Sequence, residues 1–167
     1  TGDWLTPRLN GFKYFEKPAL QYWATATAFT LFGVNEWTAR LWAALTGFAG
    51  VLLVYFTGMR LFGRAAGLNA AAVTISSFLY LFIGHFNTLD MGLTFFLTLS
   101  LCAFLLAQAR GDNQGQDPAG RRAWMITAWA AAGLAVLSKG LVGALLPAGA
   151  LCAYLLWQRD WALLKRL

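Results

Sequence analysis

Apolar runs separated by short polar breaks fill most of the chain, and their lengths sort them into elements. Residues 1–18 are polar and mixed, with Pro7, Gly11 and Pro18 as breakers. Residues 19–32 are apolar and rich in aromatics but too short to cross a bilayer, which takes about 20 apolar residues. They are predicted to form a helix lying in or under the interface, ended by Gly33. Residues 37–59 read as the first span, with Arg40 as its only charge. Residues 65–86 and 88–109 read as the second and third. A polar loop over 110–122 follows, then two shorter apolar runs, 123–137 and 141–157, parted by Ser138, Lys139 and Gly140. The expected fold is an all-α membrane protein, a polytopic transmembrane helix bundle. Residues 1–36 form an outer loop with its interfacial helix, and residues 37–167 carry about five spans.

The charges in the breaks give the bundle an orientation. Arg60 and Arg64 join the first two spans; Arg110, Arg121 and Arg122 follow the third; Arg159, Lys165 and Arg166 follow the last. With five spans all three clusters fall on one side, which the excess of Lys and Arg marks as cytoplasmic. One long helix over 123–157 would instead put the last cluster outside, so two short spans are preferred. At about 1.5 Å per residue the run 123–137 reaches only about 22 Å, which sets Lys139 at or just below the outer interface. Ala39, Ala43 and Gly47 recur at four-residue spacing on the first span. Such spacing lets helices approach closely in lipid, although an alanine-rich membrane helix also shows it by chance.

Composition agrees with a membrane protein. Hydrophobic residues make up 59% of the 167 and charged residues 12%, against about 25% charged in soluble domains. Eight Trp and thirteen Phe suit lipid-facing helices and interfacial belts. The net charge of +6 invites a nucleic-acid partner. The basic residues form no stripe, however, and sit in short clusters between apolar runs, so no nucleic acid is expected. Cys102 and Cys152 each lie inside an apolar run and resemble small buried hydrophobes. The sequence contains no Walker loop, no Cys–His zinc spacing and no dinucleotide fingerprint. It opens on Thr1 without a signal peptide, and its apolar pattern runs nearly to Leu167; both ends are expected to be cuts in a longer protein.

Under this topology the outer side collects Arg8, Lys13, Glu16, Lys17, Glu36, Arg40, His85, Asp90 and Lys139. Carboxylates, lysines and the single histidine gathered opposite the basic loops call for a reason beyond topology. Each also has a plain role. Asp90 can cap its helix, with Asn87 as N-cap and the carboxylate favouring the helix dipole. Lys17, before Pro18, and Arg40 can snorkel, His85 can be an interfacial histidine, and Glu16 can pair with a neighbouring lysine. Lys139 is harder to place, because a short loop has no need of a lysine. Together, Asp90 and the lysines suggest a division of labour. A surface carboxylate can take a proton from an acceptor hydroxyl, and lysines can hold a lipid phosphate and stabilise its charge as it leaves.

Specific words narrow this chemistry. Gly-Asp-Trp-Leu-Thr-Pro-Arg-Leu-Asn-Gly, then Lys-Tyr-Phe-Glu-Lys-Pro and Leu-Gln-Tyr-Trp, resemble the first outer loop of the aminoarabinose transferases. These belong to the polyprenyl-phosphate-dependent membrane glycosyltransferases, which include the protein O-mannosyltransferases. Leu-Phe-Gly-Val-Asn-Glu-Trp-Thr-Ala-Arg-Leu, Asn-Thr-Leu-Asp-Met-Gly-Leu and Leu-Ser-Lys-Gly-Leu-Val-Gly extend the resemblance over essentially the whole chain. It implies part of a GT-C-type fold in a bacterial inner membrane, with the active site facing the periplasm. It also implies transfer of a sugar from a polyprenyl phosphate with inversion at the anomeric carbon. In aminoarabinose transferases the donor is undecaprenyl phosphate bearing 4-amino-4-deoxy-arabinose, the acceptor is a phosphate of lipid A, and the product resists cationic peptides such as polymyxin. By the same resemblance Lys17 matches a loop lysine that contacts donor phosphate, Asp90 the outer-loop aspartate of the active cavity, and Lys139 a later lysine. Glu16 matches a glutamate sometimes associated with a divalent metal, whose further ligands are expected outside this chain. The family's Asp-Glu word, with a nearby Arg-Tyr, is expected just before Thr1, so this stretch alone is expected to be inactive. Two alternatives stay open: a protein or glycan acceptor, and a lipid-phosphate flippase or transporter, which would place its charges nearer the midplane and use broken helices.

Overall fold

The computed structural model describes residues 6, 8–9, 11–14, 17–86, 88–109 and 118–159. Seven helices account for almost all of them, as expected of an all-α bundle: α1 Leu20–Phe32, α2 Glu36–Phe62, α3 Arg64–Ser76, α4 Phe78–His85, α5 Asp90–Ala109, α6 Pro118–Lys139 and α7 Val142–Gln158. A small antiparallel hairpin precedes them, in which Arg8 faces Lys13 and Leu9 faces Phe12. Its turn contains Gly11 at φ 85°. The hydropathy pattern of this stretch carries no sign of the hairpin.

Local chemistry sets the breaks. Gly33 ends α1, adopting φ 81° and returning its N–H to Phe29 O. Thr38 then secures the start of α2: its hydroxyl accepts the Asn35 N–H at 3.0 Å and lies 2.9 Å from Gly33 O. A single residue, Gly63 at φ 92°, joins α2 to α3. Only a residue without Cβ takes that conformation at little cost. Gly140 at φ 72° and Leu141 join α6 to α7, so the break after Lys139 is an interhelical turn.

Two boundaries differ from the apolar pattern. The run 65–86 is not one rod, because α3 and α4 meet at an angle of 61° at Ser77. Thr74 Oγ1 bonds Ala70 O at 2.8 Å, Ser76 Oγ bonds Val73 O at 3.2 Å, and Ser77 turns to an extended ψ of 117°. Hydroxyls that compete for backbone carbonyls are a recognised cause of helix bending. The polar loop before α6 is also shorter than expected. The helix starts at Pro118, a residue suited to a first helical position, and takes Arg121 and Arg122 into its first turns.

Packing is tight and built on small residues. A core of Leu93, Phe96 and Ala135 joins α5 to α6, with Leu20 of α1 and Trp42 of α2 packed against it. Ser100 Oγ reaches Ala128 O at 2.9 Å, fixing α5 and α6 antiparallel. Ala43 and Gly47, two of the four-spaced small residues, are buried on α2, with Gly47 against Met91. Gly58 and Gly67 meet where α2 crosses α3. Many large apolar side chains stay exposed, such as Phe62 and Phe78 at 79% and Trp157 at 88%. A water-soluble surface would not carry that much, whereas a lipid-facing one does. Helices α2 and α5 are each long and apolar enough to cross a membrane, and the bent α3–α4 pair together makes a third candidate.

A close backbone approach between α2 and α3 sets the cost of a side chain at Gly67. A Cβ on Gly67 would stand 2.6 Å from Tyr55 O and 2.8 Å from Met59 N. Both are backbone atoms that cannot swing aside. Gly67→Ala in the full-length protein should cost about 1–3 kcal/mol through overpacking, whereas Gly133→Ala, with nothing within 4 Å of its Cβ, should be neutral or stabilising. Thermal unfolding in detergent compares the two; equal midpoints would contradict the assigned crossing.

Candidate functional site

The helices run alternately, so their ends sort the charges. Chain direction reverses at Gly63, between α4 and α5, between α5 and α6, and at Gly140. One end of the bundle therefore carries Glu36, His85, Asp90 and Lys139. The other carries Arg60, Arg64, Arg121, Arg122 and Arg159. Lys165 and Arg166 lie outside the described residues, as does Arg110.

Asp90 is the first residue of α5, placed there by a tight connection in which Thr88 N–H donates to Phe86 O at 2.8 Å. A carboxylate in this first turn is favoured by the helix dipole. Lys139 is the last residue of α6, where a cation is favoured for the mirror-image reason. The antiparallel packing of α5 and α6 brings the two together, and Lys139 Nζ donates to Asp90 Oδ1. Forty-nine residues apart in sequence, they form a direct ion pair. Both side chains are about 40% exposed. At such exposure a pair contributes between nothing and about 1 kcal/mol to stability. The Asn87 cap proposed from sequence lies outside the described residues.

Lys17 precedes Pro18 in a bend before α1, and its side chain is exposed. It makes no described contact with the ion pair, but packing brings it to the same end. Leu20, three residues on, packs against the core of Leu93, Phe96 and Ala135. Leu93 lies three residues after Asp90, and Ala135 four before Lys139. Three residues of chain span at most about 10 Å, which keeps Lys17 at the end of the bundle that carries Asp90 and Lys139. Glu16, the residue associated with a metal by resemblance, is outside the described residues. Among the described residues no group of three or more His, Cys, Asp or Glu is placed to hold a metal ion.

Two further charges occupy a different side of the same end. Arg40, on the first turns of α2, and His85, at the end of α4, line one cavity of 560 Å³ with Trp37, Tyr80 and Met91. His85 Nδ1 lies 2.7 Å from Leu81 O, so that nitrogen carries the hydrogen and donates. Taken singly in the sequence, Arg40 and His85 each have an ordinary interfacial role. Nothing in their spacing shows that the bend at Ser77 sets them on one rim.

The grouping can be checked by labelling. With single cysteines introduced at 90 and 121 in the full-length protein, an impermeant reagent should reach the two from opposite sides of the membrane. Labelling of both from the same side would overturn the assignment of ends.

Residues 1–167 match the family described as dolichyl-phosphate-mannose-protein mannosyltransferase. The chain is 30% identical over 162 residues to an undecaprenyl phosphate-alpha-4-amino-4-deoxy-L-arabinose arabinosyl transferase of Edwardsiella ictaluri, covering 96% of this chain and 28% of that protein. Against the protein of the same description from Pseudomonas aeruginosa it is 34% identical over 162 residues, with coverage of 96% and 28%. The crystal structure of ArnT from Cupriavidus metallidurans in the apo state aligns at TM-score 0.93 and 40% identity, over 100% of this chain and 30% of that one. The same protein bound to undecaprenyl phosphate also gives TM-score 0.93 and 40% identity, over 99% and 30%. The chain thus spans under a third of the length of these relatives.

Proposed function

From the premise that this chain belongs to the dolichyl-phosphate-mannose-protein mannosyltransferase family, we propose that it forms the outer-end donor and base region of a GT-C-type membrane glycosyltransferase. The enzyme moves a sugar, 4-amino-4-deoxy-L-arabinose, from undecaprenyl phosphate to lipid A. The site faces the periplasm, in a bacterial inner membrane that the chain crosses about five times. The observation that carries this reading is the convergence of Asp90, Lys139 and Lys17 on one end of the bundle, opposite the arginine-rich end. Similarity to a protein solved with undecaprenyl phosphate supports the donor, and the curated relatives support the sugar.

The chemistry follows from charge. An acceptor oxygen attacks the anomeric carbon, the carbon–oxygen bond to the polyprenyl phosphate breaks, and that phosphate leaves with additional negative charge. Lys17, at headgroup depth, holds the donor phosphate and offsets this charge. Asp90 accepts the acceptor's proton where the acceptor carries one. Lys139 holds the Asp90 carboxylate in place through their ion pair and offers the donor phosphate a second positive charge. No step assigned to these three residues is routed through a metal at Glu16.

A flippase remains the reading from another class. The break at Lys139–Gly140 gives it no support, since the break is a turn between α6 and α7. The bend at Ser77 is a broken helix of the kind transporters use, but Ser77 and its neighbours Ser76 and Phe78 carry no charge. Incubating the full-length protein in detergent with defined polyprenyl-phosphate sugars and with lipid A, peptide and glycan acceptors separates the possibilities. Sugar-bearing lipid A is the expected product. Transfer to peptide or glycan alone would change the acceptor, and no transfer to any acceptor would remove the enzyme reading.

A further inference from the structure

The cavity between α2 and the bent pair α3–α4 has no part in the chemistry above. Its existence follows from the bend. Near Gly58 and Gly67 the two elements touch backbone to backbone, and at Ser77 the chain turns by 61°, leaving 560 Å³ toward the outer end. The lining is divided along its length. The outer rim carries Arg40 and His85, and the floor carries Leu41, Phe48, Val51 and Ile75. Among the described residues no carboxylate lines it. Glu36 lies one helical turn from Arg40, yet among the described residues no ion pair joins them.

The polar groups on the walls differ in what they leave available. The Tyr80 hydroxyl donates to Gly47 O at 2.7 Å and closes the inner wall. The His85 Nδ1–H is held by Leu81 O, so Nε2 is the ring nitrogen left for a ligand: in the neutral ring it accepts from a P–OH, and in the imidazolium it donates to a phosphate oxygen. The Arg40 guanidinium brings a fork of donors suited to phosphate oxygens. Arg40 sits about 6 Å from the start of α2 and Val51 about 16 Å further along it. The cavity therefore presents an anion-binding rim at headgroup depth above an apolar slot that runs into the hydrocarbon. A free phosphate would use only the rim, and an uncharged lipid only the slot.

We propose that this cavity seats a second membrane lipid with a phosphate headgroup, its phosphate between Arg40 and His85 and a hydrocarbon chain against α2 from Leu41 to Val51. This seat is distinct from the donor position at Lys17 and does not depend on the sugar-transfer reading. Met91 forms part of its wall, whereas Asp90, the residue before it, pairs with Lys139 outside the lining.

Native mass spectrometry of the full-length protein, titrated with dioleoyl phosphatidic acid or dioleoyl phosphatidylcholine, tests the seat. The wild type should retain one phosphatidic acid preferentially. Arg40→Gln combined with His85→Gln should weaken that binding about 10- to 100-fold, the range for losing charge-assisted hydrogen bonds, and leave phosphatidylcholine binding unchanged. Arg40→Lys with His85 intact should keep clearly more affinity than the double glutamine variant, though less than wild type, which separates loss of charge from misfolding. Ala44→Trp, filling the slot, should weaken phosphatidic acid binding without touching the rim, and Lys17→Ala should leave it unchanged. Wild-type affinity in the Arg40→Gln, His85→Gln protein would overturn the seat. So would loss of binding in Lys17→Ala, which would put the lipid in the donor position. Full displacement by inorganic phosphate, together with insensitivity to Ala44→Trp, would reduce the site to an anion site and overturn the lipid.

Discussion

Asp90→Asn in the full-length protein lowers sugar transfer by about 10²–10⁴-fold while leaving the fold intact. The range is that of a positioned base removed from a proton transfer. Stability should change by no more than about 1 kcal/mol, because the ion pair with Lys139 is about 40% exposed on both sides. Asparagine keeps the shape of the carboxyl group at the start of α5, but it neither accepts a proton nor holds the lysine by charge. The size of the loss also reports on the acceptor. A sugar hydroxyl keeps its proton at neutral pH and needs the base fully. A phosphate monoester, with a second pKa of about 6, is already largely deprotonated, so its loss should fall at the low end of the range. Transfer rates and thermal unfolding of the two proteins, measured side by side, check this. Unchanged turnover would leave Asp90 with only a capping and pairing role.

Lys17→Ala should reduce donor-dependent transfer by about 10- to 100-fold, the effect of losing one hydrogen bond to a charged phosphate. Lys13→Ala should change little. The contrast rests on position. Lys13 is exposed in the hairpin, its Cα paired with that of Arg8, and another cation remains beside it when it is removed. Lys17 is followed by Pro18, which restricts the backbone, and by Leu20, which is fixed on the core next to Asp90 and Lys139. Lys17→Arg should rescue only in part, since a planar fork does not replace a compact ammonium. The measurement is transfer against donor concentration at fixed acceptor. Equal losses from the two alanine substitutions would show that overall basicity, not a phosphate site at Lys17, governs the loop.

The helix breaks and the sorting of charges were partly legible because lipid imposes length and sign on a sequence. The apolar runs, the basic residues near Gly63 and the break after Lys139 follow from those constraints and correspond to ends of helices, whereas the run 65–86 is divided at Ser77 and α6 extends beyond the apolar run at 123–137. The placement of Asp90 and Lys139 at one end followed from counting crossings, but their direct contact did not. It depends on the register of α5 against α6, which Ser100 and Ala128 fix. The anchoring of Lys17 through Leu20 is hidden for the same reason, since Leu20 looks like any other apolar residue of α1. The bend at Ser77 left a trace in Thr74, Ser76 and Ser77, yet hydroxyls are common in membrane helices and only packing decides which of them bends one. The rim of Arg40 and His85 depends on that bend and was therefore out of reach. The hairpin over residues 8–13 belongs with these: two residues per strand carry no period to read.

The most direct test of the account supplies the purified full-length protein with undecaprenyl phosphate bearing radiolabelled 4-amino-4-deoxy-L-arabinose, with lipid A as acceptor, and follows the label in wild type and Asp90→Asn. Label on lipid A and free undecaprenyl phosphate in equal amounts, with both products cut by about 10²-fold or more in the variant, is the predicted result. Label that stays on the donor in the wild type, or moves equally fast in the variant, would contradict a transferase site built on the outer end of this bundle.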